Sequence, residues 1–408
     1  MSEQPTLLFV STRFLFPVDS GGKIRTTQVL RGLKGGRYRI QLVSPATDAE
    51  LERHAEDLST VCDEFTPWTA NPRGTLFNLA RARFLADRLP IPIRTDWSAA
   101  GRAVVDAALA RRPDVAVFDF LHAAVLAPEQ LRVPSVMFTH NVETEIFARH
   151  LQVARNPLMR AMWRSQHGKM RRFETLALRR FDVVVAVSDR DAKQFSGSYA
   201  VKEPFVIPTG VDLDFFCWAP PSRDREIVFC GSMDWLANQD GIDFFLDEIW
   251  ARIVREVPDA RMTVVGRAPP AGLVERARRF GDAWSFTGFV DDVRPHLQGA
   301  AVSVIPLRVG GGTRLKVFEA MAMGSPVVST TLGVEGLPVT PGEHFLQADD
   351  PEAFAGAVVG LLRDPRRRDS LSAAARELVE SRFSYRAAAQ VFEQACELAR
   401  TRRASAAA

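Results

Sequence analysis

Cysteine is scarce in this chain, with four in 408 residues: Cys62, Cys217, Cys230 and Cys396. They are scattered, and none has C-x-x-C or metal-ligand spacing, which excludes a disulfide scaffold and a cysteine-built metal site. A charge excess is missing too. There are 52 basic and 49 acidic residues, for a net charge of +3. That balance argues against nucleic acid as a partner. No apolar run approaches the length of a membrane span, and the opening Met-Ser-Glu-Gln-Pro-Thr has neither a basic nor an apolar leader segment. The expectation is a cytoplasmic protein in a reducing setting.

What is present fits a globular chain with room for two ordinary domains, 46% hydrophobic and 25% charged. Short apolar runs recur: Leu7-Leu8-Phe9-Val10, residues 40–43, Val115-Ala116-Val117-Phe118, Ser135-Val136-Met137-Phe138 and residues 183–187. Most are continuous rather than alternating, as in parallel strands covered by helices on both faces. A turn-rich stretch follows, Ile207-Pro208-Thr209-Gly210 and then Pro220-Pro221-Ser222. The pattern then restarts with Ile227-Val228-Phe229-Cys230, a helix expected over residues 241–256, Met262-Thr263-Val264-Val265, Val302-Ser303-Val304-Ile305 and Pro326-Val327-Val328-Ser329. Two series of βα units predict an α/β protein of two doubly wound Rossmann-like domains facing across a cleft. In such sheets ligands bind beyond the carboxyl ends of the strands.

The block from Arg308 to Glu319, Arg-Val-Gly-Gly-Gly-Thr-Arg-Leu-Lys-Val-Phe-Glu, lies at such an end, ahead of a helix expected over residues 315–323. A Gly-rich turn entering a helix bares backbone N–H groups at the positive end of the dipole, a ready phosphate site. Gly310, Gly311 and Gly312 supply the amides, Thr313 a hydroxyl, and Arg314 and Lys316 the cations. Glu319 lies one turn beyond Lys316, where its carboxylate can accept two sugar hydroxyls. Both cations are expected at the surface of the cleft. The plainer alternative is a simple turn with a Lys–Glu pair on a solvated helix face.

With these segments in order, the chain resembles the retaining, nucleotide-sugar-dependent glycosyltransferases of family 4 (glycosyltransferase group 1), which have the GT-B fold. The resemblance covers nearly the whole chain. It rests on Pro17-Val-Asp-Ser-Gly-Gly22, Thr139-His-Asn-Val-Glu143, Val187-Ser188, Ile207-Pro-Thr-Gly-Val-Asp212, Gly231-Ser232, Gly288-Phe-Val-Asp291 and the block from Gly310 to Val328. Much of the family has two glutamates eight positions apart here. Glu319 matches the second, and Gly311 stands at the first, as in a subset with Gly-Gly-Gly-Thr-Arg-Leu-Lys. The family also often has an Arg directly after the glycine at Gly231 and a Lys a few residues on. This chain has Ser232, then Asn238 and Gln239. Arg314 and Lys316 are therefore expected to supply the diphosphate charge.

The resemblance implies an acceptor-side domain over residues 1–206, a nucleotide-sugar domain over 207–383, and a helix over 384–408 crossing back to the first domain. It implies transfer of a sugar from a nucleoside diphosphate sugar to an acceptor hydroxyl, with retention. No tightly bound cofactor and no metal are expected. The acceptor would be a surface polysaccharide, a lipid-linked glycan or a small natural product. Rival functions are a GT-B sugar-nucleotide epimerase or hydrolase and a non-catalytic binding partner. Donor contacts are expected from Gly231, Ser232, Gly310, Gly311, Gly312, Thr313, Arg314, Lys316 and Glu319. The catalytic set is His140, Arg314, Lys316 and Glu319.

His140 follows a strand closely, and the resemblance places it near the donor sugar; the alternative is a helix cap. Gly21, Gly22, His122 and Asn141 are candidates on the acceptor and phosphate side. Glu143 either orients His140 or favours a helix start. Asp189-Arg-Asp191 and Asp212-Leu-Asp214 have metal-binding spacing, but both read better as helix-start and turn residues. The stretch 155–180 mixes arginines with Met159, Met162, Trp163, Phe173 and Leu176. It would either dock peripherally on the inner face of an anionic membrane or pack its apolar side on the domain.

Overall fold

The protein is described from a computed structural model, over residues 4–18, 20–69, 81–153, 156–208, 210–219, 225–309 and 314–407. It divides into two compact units, residues 1–210 with 386–408, and residues 211–385.

The first unit is built on β1 (Thr6–Ser11), β2 (Arg39–Pro45), β3 (Glu64–Trp68), β4 (Val115–Asp119), β5 (Ser135–Phe138), β6 (Val183–Ala186) and β7 (Phe205–Val206). All neighbours are parallel, in the order β3-β2-β1-β4-β5-β6-β7. The continuous apolar runs are explained by burial on both faces. Leu7, Phe9, Val117 and Phe138 face one core and Leu8, Val10, Phe118 and Met137 the other. The first of these cores also holds Ala389, Phe392, Ala395, Cys396 and Ala399 of the last helix, Tyr385–Ala407, spaced to form one apolar stripe.

The second unit repeats the design with β8 (Glu226–Cys230), β9 (Arg261–Val265), β10 (Trp284–Gly288), β11 (Val302–Ile305), β12 (Val327–Ser329) and β13 (Leu346–Gln347). Its order is β10-β9-β8-β11-β12-β13, again all parallel. Strand order therefore reverses beside β1 in the first sheet and beside β8 in the second. At such a switch point the loops leaving neighbouring strands diverge and open a crevice.

One helix expectation is corrected. The helix after β8 starts at Leu236, not 241, and runs as Leu236–Phe244, a π-turn Phe245–Ile249 and Trp250–Glu256. Asn238 and Gln239 lie in its first turn, and their side-chain amides reach back to the Ser232 and Met233 carbonyls, at 2.8 and 2.6 Å, and secure the loop ahead of the helix. The basic stretch belongs to a helix, Pro157–Leu178, whose N-cap Asn156 accepts from the Leu158 N–H at 2.8 Å.

Candidate functional site

At the second unit's switch point β8 ends at Cys230 and the chain turns through Gly231. On the other side of the crevice, the loop after β11 leads into helix Leu315–Ala322. Gly310, Gly311, Gly312 and Thr313 lie outside the described residues. Lys316, in the first turn, reaches back over the end of β8. Its Nζ donates to Asn238 Oδ1 at 2.8 Å and lies 4.4 Å from the centroid of the Phe229 ring. Asn238 Nδ2 donates to the Ser232 carbonyl at 2.8 Å. The two side chains crowd Gly231, where a Cβ would come within 2.6 Å of Lys316 Nζ and 2.9 Å of Asn238 Nδ2.

Lys316 and Glu319 are half-buried, and each is shifted toward its neutral form. Desolvation lowers the Lys316 pKa to about 8, helped by Arg314 and opposed by Cys230 and Glu319. Desolvation raises Glu319 to about 7 against the attraction of Lys316. A cation held this way gains from a bound anion, because the anion restores the stabilisation that burial removed.

Arg314 departs from expectation. It is 6% exposed, not at the surface, and its Nε donates to the Leu332 carbonyl at 3.3 Å. The guanidinium folds beneath the helix start and ties that start to the turn Leu332–Val334 after β12.

In the first unit the switch point holds a buried polar network. Asp119, the last residue of β4, is paired in register with Ser11 of β1 and Phe138 of β5. Its carboxylate accepts from His140 Nε2 at 2.8 Å, Thr26 Oγ1 at 3.1 Å and Ser11 Oγ at 3.3 Å. Arg25 Nη1 donates to His140 Nδ1 at 3.4 Å. An arginine only donates, so Nδ1 is the acceptor and the ring proton sits on Nε2, facing Asp119. Burial lowers the His140 pKa, opposed by Asp119 and helped by Arg25, so the ring is neutral. Burial also pulls Arg25 down to about 10, with Asp191 and Asp119 opposing.

Phe120 stacks on His140, with ring centroids 3.9 Å apart and planes at 14°. Its backbone sits at φ 62°, the left-handed region that a bulky residue rarely adopts. A Cβ on Gly22 would come within 2.2 Å of the Phe120 ring. Gly21 and Gly22 form the first turn of helix Gly21–Leu33.

His140 is thus inside the network rather than at its surface, with 2% of its side chain exposed. The carboxylate that holds it is Asp119. Glu143 lies instead 3.8 Å from Nε2 of His122, whose Nδ1 meets Asp96 at 2.7 Å. Desolvation would lower the His122 pKa, but Asp96 and Glu143 overcome it and raise it to about 9. The two histidines are therefore in opposite states, one neutral and one charged. Asn141 is half-buried in the loop after β5.

Comparisons with known proteins bear on the family and the fold. The family model Glycosyltransferase Family 4 matches residues 20–215, and Glycosyl transferases group 1 matches 224–364. HepE of Anabaena, solved in complex with UDP, superposes with a TM-score of 0.68 over 95% of this chain and 98% of that one, at 16% identity. The chain has the two-domain make-up of a GT-B glycosyltransferase. Among curated relatives of this GT-B chain, phosphatidyl-myo-inositol mannosyltransferase of Mycolicibacterium smegmatis is 30% identical over 48% of this chain and 52% of its own length. GDP-mannose-dependent alpha-(1-6)-phosphatidylinositol monomannoside mannosyltransferase of the same organism is 31% identical over 52% of this chain and 62% of its own. The chain thus spans about half the length of the first of these relatives, and somewhat more of the second.

Several residues that build the two switch points carry no signal in the sequence. Asp119 ends a strand beside Phe120, and only the register reveals what it meets. Arg25 reads as one more basic residue on a helix. Asp189 and Asp191 do lie in the first turn of helix Asp189–Tyr199, whose cap Ser188 accepts from the Asp191 N–H at 3.1 Å. Asp212 Oδ1 accepts from the N–H groups of Asp214 and Phe215, both at 3.0 Å, closing a turn. Helix Pro157–Leu178 buries Gln166, Met170, Glu174, Ala177 and Leu178 on the first unit, which leaves Leu158 78% and Met159 44% exposed near Arg160.

Proposed function

We propose that the chain is a retaining glycosyltransferase that moves a sugar from a nucleoside diphosphate sugar to an acceptor hydroxyl. The observation that carries this reading is Lys316: a partly desolvated ammonium, held in place at the carboxyl end of β8 and next to a carboxylate. In this reading Lys316 meets the diphosphate oxygens, and the N-terminus of helix Leu315–Ala322 adds its dipole. Glu319 accepts the ribose hydroxyls. Arg314 anchors the start of that helix to the turn Leu332–Val334. The protein supplies position and positive charge for the leaving diphosphate, which helps deprotonate the acceptor, so no protein nucleophile is required.

On the first unit, the Asp119–His140–Arg25 network fixes the loops after β1, β4 and β5, and with them Gly21, Gly22 and Asn141 on the acceptor side. His140 acts on the reaction by orienting this network, since both ring nitrogens are engaged. The acceptor is a lipid-linked or surface glycan. The exposed Leu158 and Met159 beside Arg160 support contact with an anionic membrane through the start of helix Pro157–Leu178.

The test is a thermal-shift screen of UDP, GDP, UDP-glucose and GDP-mannose, followed by turnover with and without glycan acceptors. A ligand at about 100 times its Kd should stabilise the folded protein by about 2.7 kcal/mol. Absence of any shift across the panel would overturn the reading. Donor consumption that needs no acceptor would point to an epimerase or hydrolase. Co-flotation with phosphatidylglycerol vesicles, lost in Leu158→Ser/Met159→Ser, tests the membrane contact.

A further inference from the structure

Asn238 stands a few residues after Gly231, where the family this chain resembles often has a lysine. The structure gives it a different task. Its side chain makes two hydrogen bonds, to Lys316 Nζ and to the Ser232 carbonyl, both at 2.8 Å. These orient the amide without ambiguity. A carbonyl only accepts, so Nδ2 faces Ser232 and Oδ1 is left for the ammonium. The residue is buried, at 7% exposure, in the first turn of helix Leu236–Phe244, with its own N–H bonded to the Trp235 carbonyl at 3.0 Å. Its position is therefore set by the helix and not by Lys316. The Lys316 side chain is long and flexible, and an unsupported lysine of this kind has many rotamers to lose on binding an anion. Here the ammonium rests on the Phe229 ring and the open face of Gly231, and Asn238 fixes it from the side.

We propose that Asn238 is a positioning residue, which holds the Lys316 ammonium in the geometry that meets a diphosphate; the ligand class rests on the function proposed above. The residue type fits this task closely. A second cation at position 238 would lie beside the Lys316 ammonium and repel it. A carboxylate there would neutralise Lys316 and repel the diphosphate. An amide accepts from the ammonium, adds no charge and still tethers the loop after β8. The groups facing Lys316 are Glu319 and Arg314 on its own segment, Cys230 at the end of β8, and the uncharged Asn238. Asn238 thus supplies the polar contact that carries no charge.

The experiment combines binding and titration. UDP and GDP affinities are measured by calorimetry at pH 7 for the wild type, N238A, K316A and the double variant. Loss of a hydrogen bond to a charged group should weaken nucleotide binding roughly tenfold or more in N238A. Because Asn238 acts through Lys316, the double variant should bind no more weakly than K316A alone. Losses that multiply in the double variant would overturn the proposal, since Asn238 would then act on the ligand by itself.

A second measurement needs no ligand. The Lys316 side-chain resonance is titrated by carbon NMR of labelled lysine and assigned by its absence in K316A. N238D should raise the pH at which that signal titrates and N238A should lower it. An unchanged titration in both would sink the proposal even if nucleotide binds. A wild type that binds neither nucleotide, but whose titration responds to N238D and N238A, would instead retire the glycosyltransferase reading and leave the Asn238–Lys316 coupling in place.

Discussion

The two units share a strand order and differ at the switch point. In the first, Asp119, His140, Arg25, Thr26 and Ser11 bond to one another, with Phe120 stacked on His140. In the second, Lys316 and Glu319 are half-buried and each is pushed toward its neutral form. The first switch point is bonded largely within itself, and the second is improved by a ligand. The lesson is that the same backbone device serves two ends. A satisfied buried network gives rigidity and position. A poorly compensated charge gives affinity for a partner of opposite charge.

The largest expected effect breaks the first network. Asp119→Ala leaves His140 and Thr26 buried without their acceptor and Arg25 without a nearby countercharge, and should destabilise the protein by about 3–5 kcal/mol in denaturant unfolding. Little change in stability would mean that water or rearrangement replaces the carboxylate easily. The matching change in the second unit should do the opposite. Lys316→Ala is expected to lower kcat/KM by roughly 10- to 150-fold, the equivalent of about 1.5–3 kcal/mol, with melting temperature held or raised. If Lys316→Ala unfolds the protein instead, the contrast between the two sites fails.

His140→Ala sharpens the contrast. As part of the first network it should lower kcat heavily while UDP or GDP affinity, a property of the second unit, is nearly unchanged. Equal losses in both would refute this separation. A pH scan of the ligand-free protein gives the smallest effect. Glu319 is raised to about 7 in the fold, and so is Glu174. Burial raises Glu174 against the hydrogen bonds it accepts from Thr144, Tyr199 and the Glu143 N–H. The folded state then binds more protons than the unfolded one from about pH 4.5 to 7, so stability falls as pH rises through that window. Glu174→Gln and Glu319→Gln should each flatten part of the slope, and Glu319→Gln should also raise donor KM. A pH-independent melting temperature over this range would contradict both shifts.

The His122 pair adds a separate window. Its folded pKa, raised to about 9, lies above the ordinary histidine value. The stability from its pairing with Asp96 is therefore complete below about pH 6.5 and is lost as pH rises through 9. His122→Gln should remove that loss, and an unchanged alkaline limb would assign it to other groups.

The sequence by itself determined the sheets. Continuous apolar runs can be buried on both faces only in a helix-covered parallel sheet, and the βα repetition produced two of them. It also singled out the block around Lys316 and Glu319 as a candidate for binding a phosphate and a sugar, because glycine, cation and carboxylate stand close along the chain. Only the tertiary structure decided what those residues meet. The Asn238–Lys316 bond joins positions 78 residues apart, and the Arg25–His140 bond positions 115 apart. Such meetings follow from strand order, which sets β8 beside β11 and β1 beside β4. Periodicity encodes how a segment is buried and not which segment lies next to it, so the partners of Asp119, Arg25 and Asn238 could be read only once the sheets were assembled.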